Sequence, residues 1–404
     1  MPSPTNPKPG RPHLARDSQQ WIFDYIVQET GKVYHWWADG GGKLPSSVRS
    51  HAMISKHVGK KAQRLEALAD VERAAGHRRT ACELYFDAAR QYMSAQHPVF
   101  ETNDEKRYLF AGLERTYDAV RELADYDIVR IEVPWEGVSL TGNLHVLPGN
   151  AAAPLLFHVP GCDATCAGWP KPSANPGHER GMHVFAFDGP GQGLSNMRGI
   201  PLTADNYERA ASAALDVLLE RPEIDAARVG VYGTGMGSHW ALRMAARDPR
   251  ITAVATKSTY SDKYYLMDEE SPRWKQLFAY LTQAGSEAEL DQTMADLTLH
   301  GYMEQIACPT LMVTGEYDLR DPLDEVYELF DQLTSPAELW VFADQFHKVK
   351  LGSSELVPRL MLDWLEDRLS GRPMERSGAS VYLDKNGRGP NDPGVRRQRR
   401  WFDA

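Results

Sequence analysis

Cysteine is scarce in this 404-residue chain, and the four present (Cys82, Cys162, Cys166 and Cys308) are too few and too scattered for a disulfide framework. Cys162 and Cys166 have no second Cys or His pair at zinc-finger spacing, so neither a metal site nor a cofactor is expected. No apolar run reaches membrane-spanning length, and residues 1–16 are Pro-rich and polar where a signal peptide would be apolar. Positive charge is in deficit: 45 Lys+Arg against 55 Asp+Glu leave −10, which argues against nucleic acid or a membrane surface as a partner. The expectation is a soluble cytoplasmic protein that acts on a small molecule, with a homodimer as one option. The 42% hydrophobic content supplies ample core, and the length suits one large α/β domain with a smaller companion.

Residues 1–16 read as a flexible tail and 17–127 as a helical N-terminal domain that caps the rest of the chain. Asp17 to Gln20 has capping-box spacing ahead of Trp21, Ile22, Tyr25 and Ile26, and Thr102 to Glu105 repeats the device before Leu109, Leu113, Tyr117 and Val120. Near Asp127 the period changes from helical to alternating: Val129, Ile131 and Val133 lead through Trp135-Glu136-Gly137 into 139–146, which predicts a hairpin. Short apolar runs at 155–159, 183–187, 229–232, 251–256, 310–314 and 338–342 then alternate with helical segments. Continuous apolar runs fit a parallel sheet covered on both faces, so the core is placed at 128–370 with a helical insertion near 262–303. The Gly/Pro/Arg-rich stretch 371–404 reads as a surface-draped extension, or as an arm that grips a second subunit through Trp401-Phe402.

The most informative absence is a single serine. Residues 228–240 (RVGVYGTGMGSHW) have the strand–turn–helix pattern of a nucleophile elbow, G-x-S-x-G, with Gly233 and Gly237 in place and Gly235 at the centre. The outer glycines let strand and helix approach closely. The helix starting at Met236 aims its unpaired N–H groups at the site, and the Met236 amide is one candidate oxyanion donor. Thr234 and Ser238 are poorly placed to substitute for the missing hydroxyl, being directed into the fold and into the helix.

Other segments fall where such a site needs them. Asp318 comes after the strand at 310–314 and suits an orienting carboxylate; Asp321 precedes a proline and reads better as a helix N-cap. His347 lies beyond the last predicted strand and comes after the acid, as a base in this fold must. The loop at Gly161-Cys162-Asp163 leaves the third predicted strand and offers the second oxyanion amide, from Cys162 or Asp163. Cys162 itself reads as a small buried residue rather than a nucleophile. The aromatics Trp36, Trp37, Tyr260, Tyr264 and Tyr265 read mainly as packing groups.

With these pieces in place, the chain resembles the α/β-hydrolase family that includes 2,6-dihydroxypseudooxynicotine hydrolase, fungal polyketide-shortening hydrolases and the fermentation–respiration switch protein. The resemblance runs from about residue 17 to 369 and includes Val133-Pro134-Trp135-Glu136-Gly137 and the specific motif Phe187-Asp188-Gly189-Pro190-Gly191-Gln192-Gly193. It implies an α/β-hydrolase fold with an N-terminal helical cap. It implies cleavage of a C–C bond or an ester beside a carbonyl in a bulky aromatic or polyketide-like substrate. Carried over residue by residue, it makes Asp318 and His347 acid and base, and it fails at Gly235, where the family has serine.

Gly235 admits three readings. The glycine could be an introduced change that inactivates a serine hydrolase. It could be native, leaving room beside His347 for a water that the histidine activates, or for non-hydrolytic cyclase, lyase or epimerase chemistry. Or the pocket could serve a non-catalytic ligand-binding scaffold, although that would need neither a base nor its orienter.

Overall fold

A computed structural model describes residues 48, 52–149, 152–260, 272–318, 320–349 and 356–383. The readings made of residues 1–26, Trp36, Trp37, Tyr264, Tyr265 and Trp401-Phe402 lie outside the described residues.

Three helices come first: α1 (Ala52–Ala74), α2 (Arg78–Gln96) and α3 (Asp104–Leu123). They share their own apolar core, which includes Ala62, Phe86, Tyr92, Leu113 and Val120. The sequence places the α3 cap in a Thr102–Glu105 box, but Asn103 is the cap, accepting from Lys106 N at 2.9 Å. Thr102 instead meets the Tyr280 hydroxyl at 3.3 Å.

The predicted hairpin is β1 (Ile128–Trp135) and β2 (Val138–His145), joined through Glu136 and Gly137, both at positive φ as the twist of a two-residue turn demands. The strands β3 (Ala153–Val159) and β4 (His183–Asp188) come next. Helices α4 (Gly193–Met197) and α5 (Asn206–Leu219) lead to β5 (Ile224–Thr234), and α6 (Met236–Arg247) leads to β6 (Ala253–Lys257). Within the predicted insertion, α7 (Pro272–Thr282) and α8 (Glu287–Asp296) precede β7 (Thr310–Gly315). Then come α9 (Leu323–Asp331), β8 (Ala337–Phe342), α10 (Leu356–Leu369) and β9 (Ala379–Leu383).

The sheet order is β1-β2-β4-β3-β5-β6-β7-β8-β9; β2 runs antiparallel to β1 and β4, and every later pairing is parallel. The sheet does not stop near residue 370: β9 pairs with β8 from Glu338↔Ala379 to Phe342↔Leu383, so the start of the stretch read as an extension is a core strand. Apolar clusters cover both faces, one including Trp240 of α6 and Leu215 of α5, the other Met361 and Leu365 of α10. Trp240 stacks on Tyr207 at 4.2 Å and 2°, which locks α6 against α5. Arg243 and Glu208 add a fully buried ion pair between the same helices at 2.7 Å. Among the described residues, no helix is long and apolar enough to cross a membrane.

Strand order reverses between β3 and β5. The crevice beyond their C-terminal ends is where open α/β sheets place ligands.

Candidate active site

Gly235 occupies the single-residue turn between β5 and α6 at φ 57°, ψ −128°. An L side chain is strained there, and an elbow holds one only because the surroundings enforce the turn. The surroundings do so here. The Gly235 amide donates to Lys257 O at 2.9 Å, and the Ser238 hydroxyl donates to the same carbonyl at 2.8 Å. Ser238 is thereby tied to β6 and serves as a structural clamp.

Two of the three elbow glycines are required by close backbone and the third is not. A Cβ on Gly233 would lie 2.5 Å from Gly237 O, and one on Gly237 would lie 2.1 Å from Val159 O and 2.6 Å from Pro160 O. Both clash with backbone, so neither position accepts a side chain. Among the described residues, a Cβ on Gly235 would meet only His347 Nε2, at 3.7 Å.

Asp318 and His347 come together from the loops after β7 and β8. His347 Nδ1 lies 2.9 Å from Asp318 Oδ2 and 3.2 Å from Oδ1. Asp318 is buried and also accepts from Arg320 N at 3.0 Å, whereas the imidazole keeps partial access to solvent. The two loops are laced by backbone: Glu316 N donates to Phe342 O at 3.0 Å and Tyr317 N to Gln345 O at 2.8 Å. Gly315 permits this, because a Cβ there would lie 2.5 Å from Phe346 O. Buried Glu316 accepts from Asp344 N at 3.0 Å, and Ser258 donates to His347 O. These supports were not singled out from the sequence, although Glu316 sits in the motif that contains Asp318. Asp321 is buried, but the cap of α9 is Pro322, so the N-cap reading of Asp321 is corrected.

The loop at 160–163 leaves β3 beside the elbow, since Val159 pairs with Gly233. Gln192 braces it, donating from Nε2 to Pro160 O at 3.0 Å and Gly161 O at 2.9 Å, while Tyr207 Oη donates to Gln192 Oε1 at 2.7 Å. The motif around Asp188 thus acquires a purpose. Asp188 accepts from Cys166 N at 2.6 Å and Leu194 N at 3.2 Å, and Gly193 is obligatory because a Cβ there would lie 2.0 Å from the Asp188 carboxylate. Burial pushes the Asp188 carboxyl up to about 6. Asp163 is likewise pushed up to about 6 by burial, against the pull of its own amide, Lys348, Arg320 and His347. Cys162 is buried, and none of the four cysteines forms a disulfide.

The arrangement is therefore a histidine held by a buried carboxylate and facing a turn with no side chain, beside the start of a helix and a braced loop. Residues 66–273 match the family model described as "Esterase FrsA-like", and this span is more than half of the chain. The chain belongs to the FrsA-like esterase family. Residues 178–372 of this FrsA-like chain also match the prolyl oligopeptidase family. It is similar to 2,6-dihydropseudooxynicotine hydrolase of Paenarthrobacter nicotinovorans, 31% identical over 320 residues, covering 76% of this chain and 82% of that one. Hydrolase LUC6 of a Fusarium species is 27% identical over 360 residues, 76% of this chain and 85% of the relative. The crystal structure of the 2,6-dihydroxy-pseudo-oxynicotine hydrolase superposes with a TM-score of 0.71 at 28% identity, covering 82% of this chain and 92% of that one. The FrsA-like fold is an α/β-hydrolase sheet with a helical N-terminal cap.

Proposed function

We propose that this FrsA-like protein hydrolyses a C–C bond or an ester beside a carbonyl, in a bulky aromatic or polyketide-like substrate, by direct attack of water. The observation that carries the reading is the pairing of an elbow-shaped turn lacking a side chain with an oriented histidine: Nε2 faces the Gly235 Cβ position at 3.7 Å while Nδ1 is held by Asp318. In the neutral tautomer with Nδ1–H on Asp318, Nε2 accepts hydrogen bonds and is the base.

A water in the region a serine would fill gives its proton to Nε2 and adds its oxygen to the carbonyl carbon. The negative oxygen is stabilised by the Met236 amide at the start of α6 and by the amide of Cys162 or Asp163 in the braced loop. The tetrahedral adduct collapses with cleavage of the C–C or C–O bond, and the imidazolium returns the proton to the departing carbanion or alkoxide. The products are a carboxylic acid with a ketone or an alcohol. No acyl-enzyme forms, because no hydroxyl or thiol stands at residue 235.

The test compares the native chain, Gly235→Ser and His347→Ala on a panel of β-diketones and aryl esters. Turnover by the native chain that disappears in His347→Ala is the expected result. Turnover by Gly235→Ser alone would overturn the water mechanism and leave an inactivated serine hydrolase. Ligand binding without turnover by any of the three would leave a binding scaffold.

A further inference from the structure

Lys106 stands near the start of α3, in the helical cap, and is only 4% exposed. Its ammonium donates to Gln96 O at 3.0 Å and Val99 O at 2.9 Å, and it lies 4.5 Å from the centre of the Tyr280 ring on α7. Among the described residues Lys106 makes no ion pair, and burial lowers its proton affinity, to about 7. A buried ammonium with only neutral partners is expensive. Two carbonyls at the end of α2 account for the amine as a brace between helices, but they leave its charge uncompensated.

The surroundings of the amine show what could compensate it. Lys106 lines a narrow cavity that also contains Cys162 and Asp163, the end of the loop that Gln192 braces beside the elbow. The cavity has room for a small polar group rather than a whole substrate. At Asn196 and Tyr280 it adjoins a larger cleft of about 670 Å³ between Phe100 and α7.

We propose that Lys106 recognises an anionic oxygen group on the substrate, a carboxylate or an ionised enol, so that the preferred substrates are acidic carbonyl compounds rather than neutral esters. The proposal rests on the hydrolase reading for the word substrate, but the binding it predicts does not depend on turnover. An anion in the narrow cavity gives the ammonium a directly paired counter-charge, which the two carbonyls and the Tyr280 ring do not supply. The Tyr280 face and the two carbonyls hold the amine in place.

The experiment uses two ligands matched in shape that are not β-diketones, 3-benzoylpropionate and its neutral amide, titrated calorimetrically into the full chain. The expected result is binding of the acid about tenfold or more tighter than the amide. Lys106→Met and Lys106→Gln should abolish that preference, whereas Lys106→Arg should retain part of it; thermal melts establish that each variant is folded. Equal affinities in the native chain, or no detectable binding of the acid, overturn the proposal without any variant. So does a preference that persists in a folded Lys106→Met or Lys106→Gln protein. If His347→Ala retains the acid preference while no substrate is turned over by the native chain, the recognition site stands and the hydrolase reading fails.

Discussion

His347 Nε2 and Gly235 face each other across a gap of one side chain: the nearest atom to a Cβ on Gly235 is that nitrogen, at 3.7 Å. The backbone at Gly235 already has the strained conformation that presents a nucleophile, held by its amide on Lys257 O. Gly235→Ser should therefore fold, at a cost of about 1–3 kcal/mol for the positive φ. It should also acquire a hydroxyl beside an oriented base. A serine-directed phosphonate is expected to label Gly235→Ser and to leave both the native chain and Gly235→Ser/His347→Ala unlabelled; mass spectrometry reads the adduct. Equal labelling of the native chain would place a nucleophile elsewhere.

The other elbow glycines respond differently. Gly237→Ala would push a methyl group to 2.1 Å from Val159 O, against backbone that cannot rotate away, whereas the methyl of Gly235→Ala makes an ordinary van der Waals contact with His347 Nε2 at 3.7 Å. Chemical denaturation should show Gly237→Ala destabilised by about 3 kcal/mol or more, beyond ordinary overpacking because the clash is with main chain. The Gly235→Ala loss should remain near the strain cost alone. Similar losses at both positions would contradict the close approach of α6 to the backbone at Val159 and Pro160.

Gln192 should matter through the loop it holds. Its amide donates to two carbonyls in a buried setting, so Gln192→Glu replaces the donor with a group that can only accept when ionised. On any substrate the native chain turns over, Gln192→Glu is expected to lower kcat by about ten- to a hundredfold with little change in KM, since the proposed oxyanion donor would be displaced and the transition state weakened selectively. Tyr207→Phe, which removes the donor to Gln192 Oε1, should give a smaller loss in the same direction. A change confined to KM would assign the loop to binding instead.

Much of this architecture was legible because the signals were local. Alternation at Val129, Ile131 and Val133 marked the hairpin, continuous apolar runs marked six parallel strands, and Asp318 and His347 were found by their places after β7 and β8. What the sequence concealed depends on partners far along the chain. The strand Ala379–Leu383 sits in a Gly- and Arg-rich stretch and becomes a strand because β8 offers an edge, burying Val381 and Tyr382. Lys106 looks like one more charge on a polar helix; its amine is enclosed by the carbonyls of Gln96 and Val99 and by Tyr280 of α7. Gln192 was visible in its motif, but its purpose lies in carbonyls about thirty residues earlier.

Arg243 and Glu208 join α6 to α5, and Arg243 also donates to the Tyr302 hydroxyl at 2.8 Å and to Thr298 O at 3.2 Å. Removing one partner strands a buried charge. Glu208→Ala or Arg243→Ala should each cost about 3–5 kcal/mol in urea denaturation, whereas the double change to Leu and Met should recover much of the loss. Because α6 begins at the elbow, the single variants should also lose activity. Additive losses in the double variant would mean that the two side chains act independently.

The cost of Lys106 has a pH signature. Its ordinary value of 10.5 is lowered to about 7 in the folded chain, so below 7 the amine is charged in both states and the folded state carries the full cost of burying it. From about 7 to 10.5 the unfolded chain binds more protons than the folded one, and stability rises with pH by up to about 1.4 kcal/mol per unit from this group. Lys106→Met lacks the contribution, although it also loses the bonds to Gln96 O and Val99 O. Whichever protein melts higher at pH 7, the native chain should therefore gain on Lys106→Met as the pH is raised from 7 toward 10. His97 and Asp163, which share the cavity, are present in both proteins, so their direct titration largely cancels in the difference. Thermal melts of the pair across that range decide the matter: a difference in Tm that does not change with pH would mean that the amine is charged and satisfied in the folded chain, and that its burial stores no cost for an anionic ligand to relieve.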